Sequence, residues 1–398
     1  MIYCLLLKVK CFSLVDIHPP QKTLERKDLD MQIGLLGYGT VGKAFHTLSQ
    51  EQPSLTVKAL LTRRPRGTVC RETDSFADIL SDPAIDLVVE LIGGIHPAYE
   101  YISAALKAKK HVVTANKAVV CAYYTELVQL AQENGVCLRC TAAAGGGIPW
   151  LSSLGRLAKM DRITAVEGIL NGTTNYILSE MTARNAAYEE LLKEAQQLGY
   201  AEADPTDDVE GYDARRKLVL SANLAFSALL REQDIPCIGI SRMTVWDIAW
   251  ARERGLVWKL IARAERRGDA VGAFVCPTLF PASTPEAQTN GSANLVSLYA
   301  ERVGKQSFSG AGAGGWPTAS NVLADCLEIA DSARAFYSDR PVTPLPIDNR
   351  GELKTWLFRS YGRYTVRQET AADAFEAYSA VSEIDPGALL AYLPQGML

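Results

Sequence analysis

The stretch Gly37-Tyr38-Gly39-Thr40-Val41-Gly42 follows the apolar run MQIGLL and opens the helical pattern VGKAFHTLSQ. A strand that turns this tightly into a helix needs glycine at the turn, at the point of close ligand approach, and where helix meets strand. The helix start then offers unsatisfied N–H groups and the positive end of its dipole to an anion. Downstream runs continue the alternation: LTVKALLT, FADILSD, IDLVVELIG, YISAALKAKK and HVVTAN. Apolar strands alternating with helices are the pattern of parallel strands joined by crossover helices. In that frame Gly37, Gly39, Thr40, Val41 and Gly42 predict a dinucleotide pyrophosphate site. The second strand ends Leu61-Thr62-Arg63-Arg64, with no acid to take a ribose 2′-hydroxyl. A basic residue there suits the 2′-phosphate of NADP, so Arg63 favours NADP over NAD; two arginines in a solvated turn are the alternative.

A chain of 398 residues, 48% of them hydrophobic, is long enough for two domains. Its 41 basic and 45 acidic side chains leave a net charge of -4 without a long Lys/Arg run. That excludes the electrostatic footprint of a nucleic-acid binder and points to a small-molecule partner. Nine scattered cysteines fit a reducing, cytoplasmic setting. Cys137 and Cys140 form a C-x-x-C, but in the strand-like GVCLRCTAA they point to opposite faces and read as packing thiols. The N-terminal MIYCLLLKVKCFSLV is interrupted by Lys8 and Lys10 and is too short and too charged to span a bilayer. Residues 1–30 are expected to be a disordered tail or an over-extended start.

The histidines are His18, His46, His96 and His111, so the half after Gly155 has none. A proton carrier from that half is then Lys, Tyr, Asp, Glu or water. This directs attention to GYAEADPTDDVEGYDARRK, residues 199–217, an acidic loop running into a helix. Asp207 or Asp208 is expected to cap that helix. Asp213 and Lys217 stand four apart on one face, either as a surface ion pair or as two groups aimed into one pocket.

Six segments, in order from about Met31 to about Ala335, together resemble homoserine dehydrogenase: GYGTVG, HVVTANK at 111–117, GGGIP at 145–149, NGTTN at 171–175, EADPTDD with Asp213 and Lys217, and Gly312-Ala313-Gly314 followed by Pro317-Thr318-Ala319-Ser320. The resemblance implies reversible reduction of L-aspartate 4-semialdehyde to L-homoserine, a step toward threonine, methionine and isoleucine. It implies an α/β fold: a Rossmann-type doubly wound parallel sheet with an inserted α+β substrate and dimerisation domain and a short C-terminal appendage. The corresponding divisions are 31–155 for the dinucleotide domain, 156–316 for the catalytic domain, 317–340 for a helix returning to the first, and 341–398 for the linker and appendage. Homodimer pairing is implied too.

Roles follow residue by residue from the same resemblance. Lys217 is the candidate proton donor, Asp213 holds it and accepts from substrate, and Lys117 reaches nicotinamide ribose and substrate from the carboxyl end of HVVTAN. Glu202, with Asp208 and Thr173, faces the substrate and its ammonium group. Thr114, Gly199, Gly312 and Gly314 join the cofactor set. Asn171 to Asn175 either meets a ligand or simply caps the next helix. Two departures stand out. Thr141 occupies the place of a glutamate that helps the family bind a monovalent cation, leaving the backbone carbonyls of Ala144, Gly146 and Ile148 to hold sodium or potassium more weakly. His96 stands where the family usually has an acid, which leaves the proton chemistry intact. In the tail, TWLFRS and RYTVRQ read as strands after a stiff proline segment, 341–346, and about fifty residues are too few for a complete regulatory ACT domain. Two other readings stay open: a reductase of another amino-acid semialdehyde, and a dinucleotide sensor without turnover.

Overall fold

The computed structural model describes residues 30–331 and 344–394. The expected N-terminal tail and the first part of the proline segment lie outside the described residues. Six strands form an all-parallel sheet: β1 Met31–Leu36, β2 Leu55–Leu61, β3 Arg71–Thr73, β4 Leu87–Glu90, β5 His111–Thr114 and β6 Leu138–Arg139. Their order, β3-β2-β1-β4-β5-β6, reverses direction beside β1, and there the strands' carboxyl ends open a crevice. Helices cover both faces, so the strands read as continuous apolar runs. Val88 and Val112 pack with Ile79, Ile102, Leu106 and Leu127 on one face. Leu87, Val89 and Val113 point the other way, against Phe45.

The helix Gly315–Ala330 completes that second face, packing Ala319, Val322, Cys326 and Ile329 into the cluster around Phe45. The chain therefore returns to the first sheet after building the second. That second sheet is mixed, with eight strands: β7 Ile163–Ile169, β8 Leu256–Arg267, β9 Ala270–Pro281, β10 Ala293–Ala300, β11 Gly304–Ala311, β12 Leu353–Ser360, β13 Arg363–Thr370 and β14 Leu389–Leu393. Their order is β11-β10-β7-β8-β9-β14-β12-β13. The C-terminal segment thus extends the sheet, with β14 beside β9 and Phe274 packed among Trp356, Phe358, Leu390 and Tyr392. Tyr361 and Gly362, at φ 48° and 71°, make the two-residue turn between β12 and β13. Cys137 packs toward the Phe45 cluster and Cys140 toward the core under the second sheet, on opposite sides as their spacing requires.

Candidate active site

The glycine turn forms one wall of a cleft of ≈ 580 Å³ lined by Gly37, Tyr38, Gly39, Arg63, Arg66 and His96, among others. Gly37 adopts φ 96°, and a Cβ there would lie 2.7 Å from the Leu91 carbonyl oxygen. A Cβ on Gly42 would fall 2.3 Å from the Gly37 oxygen. At Gly39, by contrast, nothing lies within 4 Å of where a Cβ would be, so the turn is packed tightly behind and open in front. Thr40 and Val41 start the helix Thr40–Ser49, whose first amides face this opening. Gly315 crosses so close to the helix start that its Cβ would sit 2.8 Å from the Thr40 Cγ2, and this sets the end of the Gly312–Gly314 loop beside that helix start. A glycine cradle at a helix start, with exposed Arg63 and Arg66 where β2 ends, fits a dinucleotide.

Thr114, expected among the cofactor ligands, is fully buried and spends its hydroxyl on Glu90 at 2.6 Å. The other oxygen of Glu90 accepts from the amides of Ile92, at 2.7 Å, and Gly93, at 3.2 Å. Asn116 donates to the Gly94 carbonyl at 2.6 Å and caps the helix beginning at Lys117. Thr114, Glu90 and Asn116 therefore fix the loop that lines the cleft from behind. Glu90 escaped the sequence reading, though an acid closing an apolar parallel strand was a usable signal. His96, after that loop, pairs with Glu100 at 2.6 Å on the surface.

The second half of the site is a buried charge cluster. Asp213 lies in the first turn of the helix Tyr212–Phe226, whose N-cap is Gly211 rather than Asp207 or Asp208. Asp207 instead pairs with Arg216 at 2.5 Å, and Asp208 lies in the preceding short helix Thr206–Val209. Asp213 receives Lys117 on one oxygen at 2.8 Å and Lys217 on the other at 2.7 Å. Asn171 adds a third donor at 3.0 Å, also reaches Asp208 at 2.7 Å, and caps the helix Gly172–Arg184 through the Thr174 amide. Asn171 is thus both a cap and a bridge. Burial opposes ionisation of Asp213, but Lys217 and Lys117 outweigh it and hold the carboxyl well below the usual aspartate range. Burial would lower the Lys117 ammonium, yet the adjacent Asp213 carboxylate prevails and raises it. Lys217 also donates to the Leu170 carbonyl at 2.7 Å. An ammonium has three donors, so among the described residues one N–H remains for a ligand.

Asp208 is half-buried, and burial raises its carboxyl above the ordinary value, with Asp213 adding to the effect against hydrogen bonds from Asn171 and Thr173. Thr173 lies 2.6 Å from the Tyr200 carbonyl and 3.2 Å from Asp208. Gly199, φ 76°, follows the helix Tyr188–Gln197 beside Tyr200 and is not among the residues lining the glycine cleft. Glu202 is exposed on the following loop.

Two of the three carbonyls expected to hold a cation, those of Gly146 and Ile148, are already engaged. Asn321 Nδ2 donates to Gly146 O at 2.5 Å and to Ile148 O at 2.9 Å, and Ile148 O also accepts the Trp150 amide at 2.7 Å. Thr141 gives its hydroxyl and its amide to Asp325, at 2.7 and 2.8 Å. This donor-filled, uncharged loop does not fit a bound sodium or potassium ion.

A doubly wound sheet with a glycine cradle, joined to a lysine–carboxylate cluster, defines an NAD(P)-dependent oxidoreductase. The family model for the NAD binding domain of homoserine dehydrogenase matches residues 37–140, and the homoserine dehydrogenase model matches residues 149–327. The homoserine dehydrogenase of Bacillus subtilis is 40% identical over 319 residues, 76% of this chain and 74% of that one; the enzyme of Corynebacterium glutamicum is 42% identical over 347 residues, 81% and 78%. The chain belongs to the homoserine dehydrogenase family. The crystal structure of a homoserine dehydrogenase from Thiobacillus denitrificans superposes with a TM-score of 0.81 at 31% identity, covering 91% of this chain and 98% of the other. Among the described residues, no helix is long and apolar enough to cross a membrane.

Proposed function

We propose that the chain interconverts L-aspartate 4-semialdehyde and L-homoserine, with Lys217 delivering the proton. The carrying observation is the uncommitted third donor of Lys217, beside two N–H groups held by Leu170 O and Asp213. Bound NAD(P)H supplies a hydride to the carbonyl carbon. As carbon–oxygen π electrons move to oxygen, Lys217 Nζ gives that oxygen a proton, and in homoserine oxidation the same atom takes it back. Asp213 fixes the direction of Lys217 and shares its charge with Lys117, which bridges the cluster to the dinucleotide side. Glu202, Asp208 and Thr173 face the substrate ammonium, and the Gly312–Gly314 loop closes over the cofactor.

Arg63 and Arg66, both lining the cleft, favour NADP over NAD through a 2′-phosphate. Residues 31–155 serve as the dinucleotide domain, 156–316 as the catalytic domain, 317–340 as the returning helix, and 341–398 as linker and appendage. Two copies pair through the second sheet, whose edge strand β11 is exposed along most of its length. The setting is cytoplasmic, in keeping with cysteines scattered without a pairing framework.

The test follows NADP+ and NAD+ reduction with L-homoserine in the wild type and in Lys217→Ala. Removing the proton donor lowers kcat by about 10³-fold while dinucleotide affinity stays within about twofold. A wild type that binds NADP+ but never oxidises homoserine overturns the assignment.

A further inference from the structure

The loop Gly145–Ile148 runs so close to its neighbours that a Cβ on Gly146 would lie 2.4 Å from the Gly312 carbonyl carbon, and one on Gly147 would lie 2.6 Å from Pro317 Cβ. Packed this tightly, the carbonyls of Gly146 and Ile148 converge beside the helix Gly315–Ala330. Two inward-facing carbonyl oxygens need a positive partner between them: a cation, or hydrogen-bond donors. Here the partner is covalently attached. Asn321, 6% exposed, places one nitrogen against both oxygens, and that nitrogen carries two hydrogens, one for each. A cation at this point would face the two N–H groups and a second oxygen, Ile148 O, already shared with the Trp150 amide.

A second contact of the same helix works alongside. Asp325 stands one helical turn after Asn321, so the two side chains leave the same face. Asp325 takes the Thr141 hydroxyl and amide, and Arg139 Nε reaches it at 3.0 Å. Position 141 therefore contributes a neutral donor turned onto the helix and no anionic oxygen for a metal ion. One helix face fastens both ends of the 139–148 segment, and the fastened loop packs against Gly312, whose loop leads to Gly315 beside the start of the cradle helix.

We infer that Asn321 is a positioning residue that does the work of a monovalent cation, its amide pinning the Gly145–Ile148 loop so that dinucleotide binding and stability are independent of sodium and potassium. The inference rests on the glycine loops forming part of the cofactor site. Its thermal readout needs no turnover, so it fails separately from the assignment of the reaction.

The experiment compares thermal midpoint and NADP+ affinity in choline chloride with those in sodium or potassium chloride at equal ionic strength. The wild type is expected to move by less than about 1 °C and about twofold. Asn321→Asp replaces the donors with an oxygen facing two carbonyls, and in choline chloride it loses about 5 °C, the scale of two buried hydrogen bonds. Sodium or potassium ions, but not choline, then restore at least about half of that loss by entering between the three oxygens. Asn321→Ala loses a similar amount and is rescued by none of the salts. A wild type stabilised by about 5 °C, or binding NADP+ about tenfold more tightly, only when sodium or potassium is present overturns the inference, because the amide would then be turning its oxygen toward an ion. Equal loss in every salt for Asn321→Asp overturns it as well, since the pocket would then have no cation geometry for the amide to replace.

Discussion

The two halves of the active site are built from different materials. The dinucleotide cleft is mostly backbone: Gly37 and Gly42 shape it by having no side chain, Gly39 leaves it open, and its charges, Arg63 and Arg66, stand exposed at the rim. The proton-transfer half is made of side chains withdrawn from water. Asp213 is 5% exposed and Lys217 9%, and each holds the other's charge in place. Exposed charges are screened, and each contributes a local increment. Buried charges are coupled, so removing one strands the rest. The first half should therefore yield to mutation gradually and the second abruptly.

The sharpest way to break that contrast is Asp213→Asn. It leaves Lys117 and Lys217 without their shared anion, and the expected cost is about 3–5 kcal/mol of stability, measured by denaturant unfolding. Turnover falls by about 10²-fold or more, because Lys217 loses the carboxylate that orients it. The pH dependence carries a matching signature. The folded Asp213 carboxyl titrates below its unfolded value, so its contribution is complete above about pH 4 and is lost as pH falls through the lower, folded value. Wild-type stability should show that acid-side loss and the variant should lack it. A variant as stable and as active as the wild type would mean that the cluster is no more coupled than a surface pair.

The same contrast explains what could be read from the sequence. The glycine turn, and Asp213 with Lys217, are visible because their spacings are local: adjacent residues in one case, four positions in the other. The strands β1, β2, β4, β5, β6, β12 and β13 are legible as apolar, alternating or strand-like runs. β3 is not, since Arg71-Glu72-Thr73 is a polar edge strand without a pattern. Asn171 reaches Asp213 from 42 positions away, Glu90 reaches Thr114 from 24, and Asn321 reaches Gly146 from 175. No periodicity encodes such pairings, so Glu90 and Asn321 stayed hidden, and Asn171 stood out as a possible cap or ligand contact without its reach to Asp213. The expected Asp207 or Asp208 cap fails because the left-handed Gly211 starts that helix, freeing Asp208 for Asn171 and Thr173. The joining of β14 to β9 likewise depends on a long-range pairing, Tyr392 with Thr278.

At the open end of the contrast, the arginines can be tested without disturbing the fold. Arg63→Ala combined with Arg66→Ala should weaken NADP+ binding by about tenfold, roughly one charge-assisted contact at an exposed site, and leave NAD+ within about twofold. Isothermal titration with both dinucleotides separates the two. Equal weakening of NAD+ and NADP+ would mean that the pair shapes the cleft rather than reading a 2′-phosphate.

The smallest effect tests where the coupled half ends. Thr173 has one hydroxyl proton for two acceptors, the Tyr200 carbonyl at 2.6 Å and Asp208 at 3.2 Å. Thr173→Val keeps the shape and removes that proton. Tyr200 is 45% exposed, so water can take over at its carbonyl. Asp208 loses a donor that favours its charged form, and its carboxyl, already raised by burial, rises further. Homoserine binding should then weaken by about two- to fivefold, first at the acidic end of the range, where Asp208 takes up its proton earlier than in the wild type. The measurement is kcat/KM for homoserine against pH, with kcat at saturation within about twofold of wild type. A large drop in kcat would place Thr173 inside the coupled cluster, and an unchanged acid limb would remove Asp208 from the substrate contacts.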